Sequence, residues 1–238
     1  MTVDLRPFAS FGAFQNDWLD THYHFSFAHY HDPARMGVGP LRVWNDDTIR
    51  AGTGFDPHPH RDMEIITYVR RGAISHRDSE GNSGRTAAGD VQVMSAGTGI
   101  VHAEHNLEDE DTDLFQIWIE PRHQGNTPRW ATRRFPRDAR AGRLIALASG
   151  RQTEHANADD ALAIDQDATL FGATVETGAL LHHALGPGRQ AYVVALGTAI
   201  DIDGQRIDAR GGAVVNDADS LAIASLGDGE ILIADLPA

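Results

Sequence analysis

Apolar residues in this chain come in short runs, many of them alternating with polar residues and ending at glycine. Such a rhythm has the period of a strand and excludes a fold built on long helices. Glu64–Val69, Val91–Met94 and Phe115–Ile119 read as strands in the first half. In the second half Tyr192–Leu196 stops at Gly197, and Leu221–Ser225 leads through Asp228-Gly229 into Glu230–Ala234. Ala199–Asp203 alternates into Asp203-Gly204, a dipeptide suited to a two-residue hairpin. Evenly spaced short strands with glycine-rich connections predict an all-β sandwich or barrel. A short helical segment is expected only near Asn157–Leu162.

The two halves echo each other. Ile65–Val69 leads to Gly72, with Gly89 opening the next strand; Tyr192–Leu196 leads to Gly197, with Gly211-Gly212 in the same role. The Arg- and Pro-rich stretch 121–141 is the best linker, which gives two related β-domains over 1–130 and 131–238. Counting back from Gly197 as far as His58 lies from Gly72 reaches His183, whose i+2 neighbour is Leu185 rather than histidine. Only the first domain therefore carries a set of candidate metal ligands.

That set is His58-Pro-His60 and His102-Ala-Glu104. An i, i+2 pair on a strand puts both side chains on one face. Two such strands side by side bring three imidazoles and a carboxylate toward one point, enough to hold one divalent first-row transition metal with positions left open. Cysteine is absent, so no disulfide or thiolate ligand is available. His22-Tyr-His24 and His29-Tyr-His31 have the same spacing without the flanking glycines, and ordinary packed or solvated histidines are the expectation there. Glu64 also lies at an even offset from His58 and His60, so spacing leaves Glu64 and Glu104 as alternative carboxylate ligands.

The formal net charge is −14, and all 20 cationic side chains are arginine. An acidic chain is poorly suited to direct nucleic-acid binding, which depends on cationic patches. The local cluster Arg133, Arg134, Arg137, Arg140 and Arg143 is expected to be a solvated connector face. No stretch is long and apolar enough to span a membrane, and residues 1–7 lack a secretory pattern, so a cytoplasmic location is expected.

Gly52-x5-His58-x-His60-x3-Glu64, followed by Gly89 and His102-x3-Asn106, is similar to the two-part cupin signature. Ser95 stands where that signature has proline, and seven residues rather than six separate Glu64 from Gly72. His58-Pro-His60-Arg-Asp-Met-Glu64, Met94-Ser-Ala-Gly-Thr-Gly99 and His102-Ala-Glu104 resemble the pirin family more specifically. Phe25-Ser-Phe27, Asp32-Pro33, Leu41-Arg-Val43 and Asn45-Asp-Asp47 extend the match, while Tyr23 stands where histidine is expected. The resemblance implies a bicupin of two tandem jelly-roll β-barrels with few short helices. It implies metal ligation by His58, His60, His102 and Glu104, with Glu104 rather than Glu64 as the acid. Iron is the implied metal; nickel, copper, manganese, zinc and cobalt suit the same donors. The implied activity is that of bacterial pirin-like quercetin 2,3-dioxygenases, with a small aromatic substrate, O2 and Glu104 as general base. Phe25, Phe27, Met36, Met63, Phe115 and Trp118 are the candidate pocket walls. The alternative implied by the same family is a non-enzymatic, redox-responsive regulatory protein acting through protein partners. A closed, purely structural metal site is a third reading.

Overall fold

The computed structural model describes residues 1–151 and 160–238. Each half of the molecule is a large sheet facing a small one. The large sheet of the first half runs in the spatial order β12 (Arg129–Arg133), β9 (Val91–Ser95), β6 (Glu64–Arg71), β11 (Thr112–Ile119), β4 (Leu41–Ile49), β3 (Leu19–Tyr23) and β2 (Gly12–Gln15). Its small sheet runs β5 (Gly54–His60), β10 (Ile100–His105), β7 (Ala73–Asp78) and β8 (Ser83–Ala87). The second half repeats the plan. Its large sheet runs β1 (Thr2–Arg6), β20 (Gly212–Asn216), β17 (Arg189–Leu196), β22 (Gly229–Pro237), β15 (Thr169–Val175), β13 (Ile145–Ser149) and β14 (Leu162–Ala163). Its small sheet runs β16 (Leu180–Ala184), β21 (Ser220–Ser225), β18 (Ile200–Ile202) and β19 (Gln205–Ile207). This is the all-β bicupin architecture, and the described helices are two single 3-10 turns at Phe8–Ser10 and Asp138–Arg140. Of the helical segment expected near Asn157–Leu162, residues 157–159 lie outside the described residues, and Leu162 begins β14.

The halves exchange their edge strands. β12, inside the stretch expected to be a linker, pairs with β9 of the first half. β1, at the very start of the chain, pairs with β20 of the second half. The sheets therefore interleave across the boundary expected at 130/131. The basic cluster next to it is only partly solvated. Arg140 is fully buried; its Nη2 donates to the Tyr68 hydroxyl at 2.7 Å and to Glu230 at 2.8 Å. Arg137 joins it on the other Glu230 oxygen at 3.0 Å, so both arginines bind the halves together.

Alternation explains how the strands are used. Trp44, Ile66, Tyr68, Phe115 and Ile117 of the first large sheet pack with Leu170, Tyr192, Val194 and Leu232 of the second in one shared core. The opposite faces of these strands point into each barrel. Buried on both faces, β6 and β17 are nearly continuous apolar runs. The barrel of the second half is filled by Val193, Leu221, Ile223, Ile231 and their neighbours. At Asp203-Gly204 both residues adopt positive φ, 52° and 74°, and join Ile202 to Gln205 as the dipeptide predicted.

Candidate metal centre

The pairing of β10 with β5 sets His102 directly opposite His58. Both face the barrel interior, as does His60 two residues along β5. The three imidazoles form a nearly equilateral triangle, with ring centroids 4.5 Å apart for His58–His102, 4.8 Å for His58–His60 and 4.9 Å for His60–His102. One ring nitrogen from each lies within 4.8 Å of the others. Gly54 makes this close pairing possible: a Cβ there would sit 2.3 Å from the Glu104 carbonyl oxygen.

The rings are prepared to donate lone pairs. Burial first, and then the neighbouring His58, His60 and His76, hold the pKa of His102 down at about 2. Burial, with His58, holds His60 at about 4. Both are neutral at physiological pH, the state that binds metals. His58 Nδ1 lies 2.7 Å from the Asp56 carbonyl oxygen, which can only accept, so Nε2 carries the free lone pair. His102 Nε2 is buried and has no hydrogen-bond partner. These converging nitrogens fit a borderline first-row transition ion.

Glu104 follows on the same face of β10. Its Oε1 accepts from Gln92 Nε2 at 2.5 Å and its Oε2 from Gln116 Nε2 at 2.6 Å. Burial nevertheless pushes its carboxyl up to about 7. Its carboxylate lies within 4.8 Å of ring nitrogens of His102 and His76. Glu64 is elsewhere. The turn at Asp62, with φ 48°, separates it from the histidine strand and cancels the even-offset argument. On β6 it shares parity with Ile66 and Tyr68, so it points away from the barrel and lines a different cleft, bonded to Ser95 at 2.5 Å. It is neither a ligand candidate nor part of the cavity wall.

The triangle closes one end of a cavity of about 200 Å³. Phe27, Phe55, Ile65 and Trp118 form its apolar walls, and Asn45, Asp47 and Gln116 supply polar groups. Of the expected wall residues, Phe27 and Trp118 are in place. Phe115 has the opposite parity to Gln116 and Trp118 on β11, and Phe25 lies in the bend after β3; both belong to the shared core. Met36 is half exposed, and Met63 packs against the cluster of Ile65, Met94, Ala96 and Ile100. Asn45, Asp47 and Gln116 escape a reading of apolar runs because each sits on the barrel-facing parity of a strand whose other face is core. Asn45 Oδ1 and Asp47 Oδ1 are buried without a partner. Burial pushes the Asp47 carboxyl up to about 7, assisted by the negative charges of Asp46 and Glu104.

The other histidine pairs do other work. His24 is fully buried, stacks on Phe11 and has Nδ1 2.7 Å from the Tyr192 hydroxyl across the two halves. His22 lies 3.7 Å from Asp20, and His29 and His31 are exposed. In the second half His183 faces Leu221, as His58 faces His102. The remaining equivalent positions are the buried Leu185 and Ile223, so these positions hold no matching donor set among the described residues.

A bicupin with a histidine triangle in its first barrel defines the class: a cupin protein with a centre able to bind a metal. Residues 5–119 match the pirin family model, and residues 153–236 match that of the quercetinase C-terminal cupin domain. A pirin-like protein of Caulobacter vibrioides is 50% identical, covering 98% of this chain and 99% of its own. The quercetin 2,3-dioxygenase of Escherichia coli K12 is 39% identical, covering 99% of both. The crystal structure of the bacterial pirin YhhW from Escherichia coli in complex with nickel(II) superimposes with a TM-score of 0.91 at 37% identity, covering 99% of both chains. The chain belongs to the pirin family.

Proposed function

We propose that this protein is a metal-dependent dioxygenase that opens the heterocyclic ring of a flavonol such as quercetin with O2 and releases carbon monoxide. The observation that carries this reading is the triangle of converging imidazoles at the end of an aromatic-walled cavity. The relative named quercetin 2,3-dioxygenase supports it. His58, His60 and His102 hold the ion, and Glu104 is the fourth donor. Iron is proposed first; the nickel(II) complex of YhhW makes nickel the immediate comparison.

When bound, the ion acts as a Lewis acid on the flavonol 3-hydroxyl. Glu104 receives the hydroxyl proton, with Gln92 and Gln116 fixing the direction of its carboxylate. A positioned base of this kind contributes roughly 10²–10⁴-fold. Phe27, Phe55 and Trp118 hold the flat ring system and exclude water, while Asn45 and Asp47 offer acceptors to its hydroxyls. The cavity is smaller than the ~300–1,000 Å³ pockets that enclose a drug-sized ligand. The hydroxyl-bearing end therefore enters, and the remaining ring lies across the mouth. A cytoplasmic location and the absence of direct nucleic-acid contact are part of the same reading.

Metal-loaded protein incubated with quercetin in air tests it. Decay of the flavonol absorbance with carbon monoxide release is expected. No turnover with iron, nickel, copper or manganese would instead favour a non-enzymatic, partner-binding role.

A further inference from the structure

His102 has a side-chain support that neither His58 nor the cavity supplies. β7 pairs with β10 so that Asp78 lies opposite His102 and His76 opposite Glu104. The side chains of His76 and Asp78 are completely buried. His76 Nε2 lies 3.0 Å from Asp78 Oδ2, and His76 Nδ1 lies 3.4 Å from His102 Nδ1. The Asp78 carboxylate is itself held by the Glu80 and Asn82 backbone N–H groups and the Asn82 amide, at 2.9–3.2 Å. Trp130 lies flat against the His76 ring, 4.9 Å away at an angle of 8°, and prevents it from turning.

We propose that His76 and Asp78 are positioning residues that fix the tautomer of His102. A carboxylate accepts only, so the His76 proton sits on Nε2. A neutral imidazole has one N–H, so His76 Nδ1 is a bare lone pair. The facing His102 Nδ1 must then be the N–H. That leaves His102 Nε2, buried and unpartnered, as the lone pair presented to the histidine triangle. At His58 the Asp56 backbone carbonyl performs the same task. Ligating histidines are commonly oriented through their second nitrogen, and loss of such a partner typically weakens metal binding by 10–100-fold. The inference rests on His102 being a ligand only for its consequence, not for its geometry.

The test separates the two. Long-range 1H–15N correlation spectra of the metal-free full chain report the tautomer of each buried histidine without any metal. The expected result is an Nδ1–H tautomer at His102 and an Nε2–H tautomer at His76. His76→Phe keeps the ring against Trp130 but removes the acceptor. It should release His102 from the Nδ1–H form and weaken nickel(II) binding 10–100-fold. His76→Asn, which restores an acceptor where Nδ1 stood, should recover most of that loss. An Nε2–H tautomer at His102 or a doubly protonated His76 in the wild type would overturn the proposal, as would unchanged nickel(II) affinity in a folded His76→Phe variant. The wild-type spectrum decides the matter even if the variants fold poorly. The expected tautomers in a protein that takes up no metal would leave the relay standing and the metal-centre reading refuted.

Discussion

His102 faces His58 across the β5–β10 ladder, yet two residues later Glu104 faces Phe55 rather than Asp56. The register slips by one at this point, a β-bulge in β5. Bulges re-aim side chains beside functional sites. Here the bulge turns Phe55 into the cavity at an odd offset from His58, beside the two histidines of its own strand. Asp56 and Pro57 are left facing solvent. One irregularity thus sets Phe55 into the cavity wall beside His58 and His60.

Glu104→Gln keeps the size of the side chain and the chance to bond with Gln92 and Gln116, but removes the base. Flavonol turnover should fall by roughly 10²–10⁴-fold, while elemental analysis still finds metal in the protein. Full activity in this variant would exclude the proton-accepting role.

Trp118 stands edge-on to His60 with centroids 4.9 Å apart and lines the cavity. Loss of one aromatic contact to a flat substrate corresponds to about 0.5–1.5 kcal/mol beyond the area lost. Trp118→Ala should therefore raise the flavonol KM by up to about tenfold at this contact, with metal content unchanged. An unaltered KM would place the substrate elsewhere.

Gly54→Ala puts a methyl group 2.3 Å from the Glu104 carbonyl and 2.4 Å from the His105 ring. Backbone cannot yield as a side-chain tip does. Overpacking of this kind costs about 1–3 kcal/mol, and it acts at the ladder that aligns the histidines. Lower Tm and lower metal stoichiometry should appear together. Gly52→Ala is the contrast: nothing lies within 4 Å of its added Cβ, and only its φ of 71° opposes the change.

Asp47 makes a prediction about pH in metal-free protein. Its carboxyl moves from 3.8 to about 7 on folding, chiefly through burial. The folded state therefore retains this proton where the unfolded chain has lost it. Stability from this group is complete below the unfolded pKa and is lost as pH rises through about 7. Denaturant titrations across that window should show wild type losing stability relative to Asp47→Asn as pH rises. Parallel curves would show that Asp47 ionises freely in the folded protein.

The histidine pairs were legible because i, i+2 spacing has one meaning on a strand. His58, His60 and His102 duly converge. The same parity argument failed for Glu64, since a left-handed turn at Asp62 lies between it and His60. The internal echo was legible too, down to His183 taking the place of His58. What remained hidden depends on long-range pairing. Phe115 and Gln116 are neighbours in sequence, but only the presence of a second large sheet decides which one meets core and which meets cavity. Nothing local marks β1 as an edge strand of the distant half or β12 as a strand at all. The Asp78–His76 support likewise needs the register of β7 against β10 before it can be seen.

The most direct test of the central claim is an anomalous-scattering map from crystals of the purified protein, collected at the absorption edges of iron and nickel. One peak among the Nε2 atoms of His58 and His102 and a ring nitrogen of His60, with a Glu104 oxygen in contact, is the predicted result. A metal-loaded crystal with no peak there, or with its ion bound at Glu64, would contradict the account.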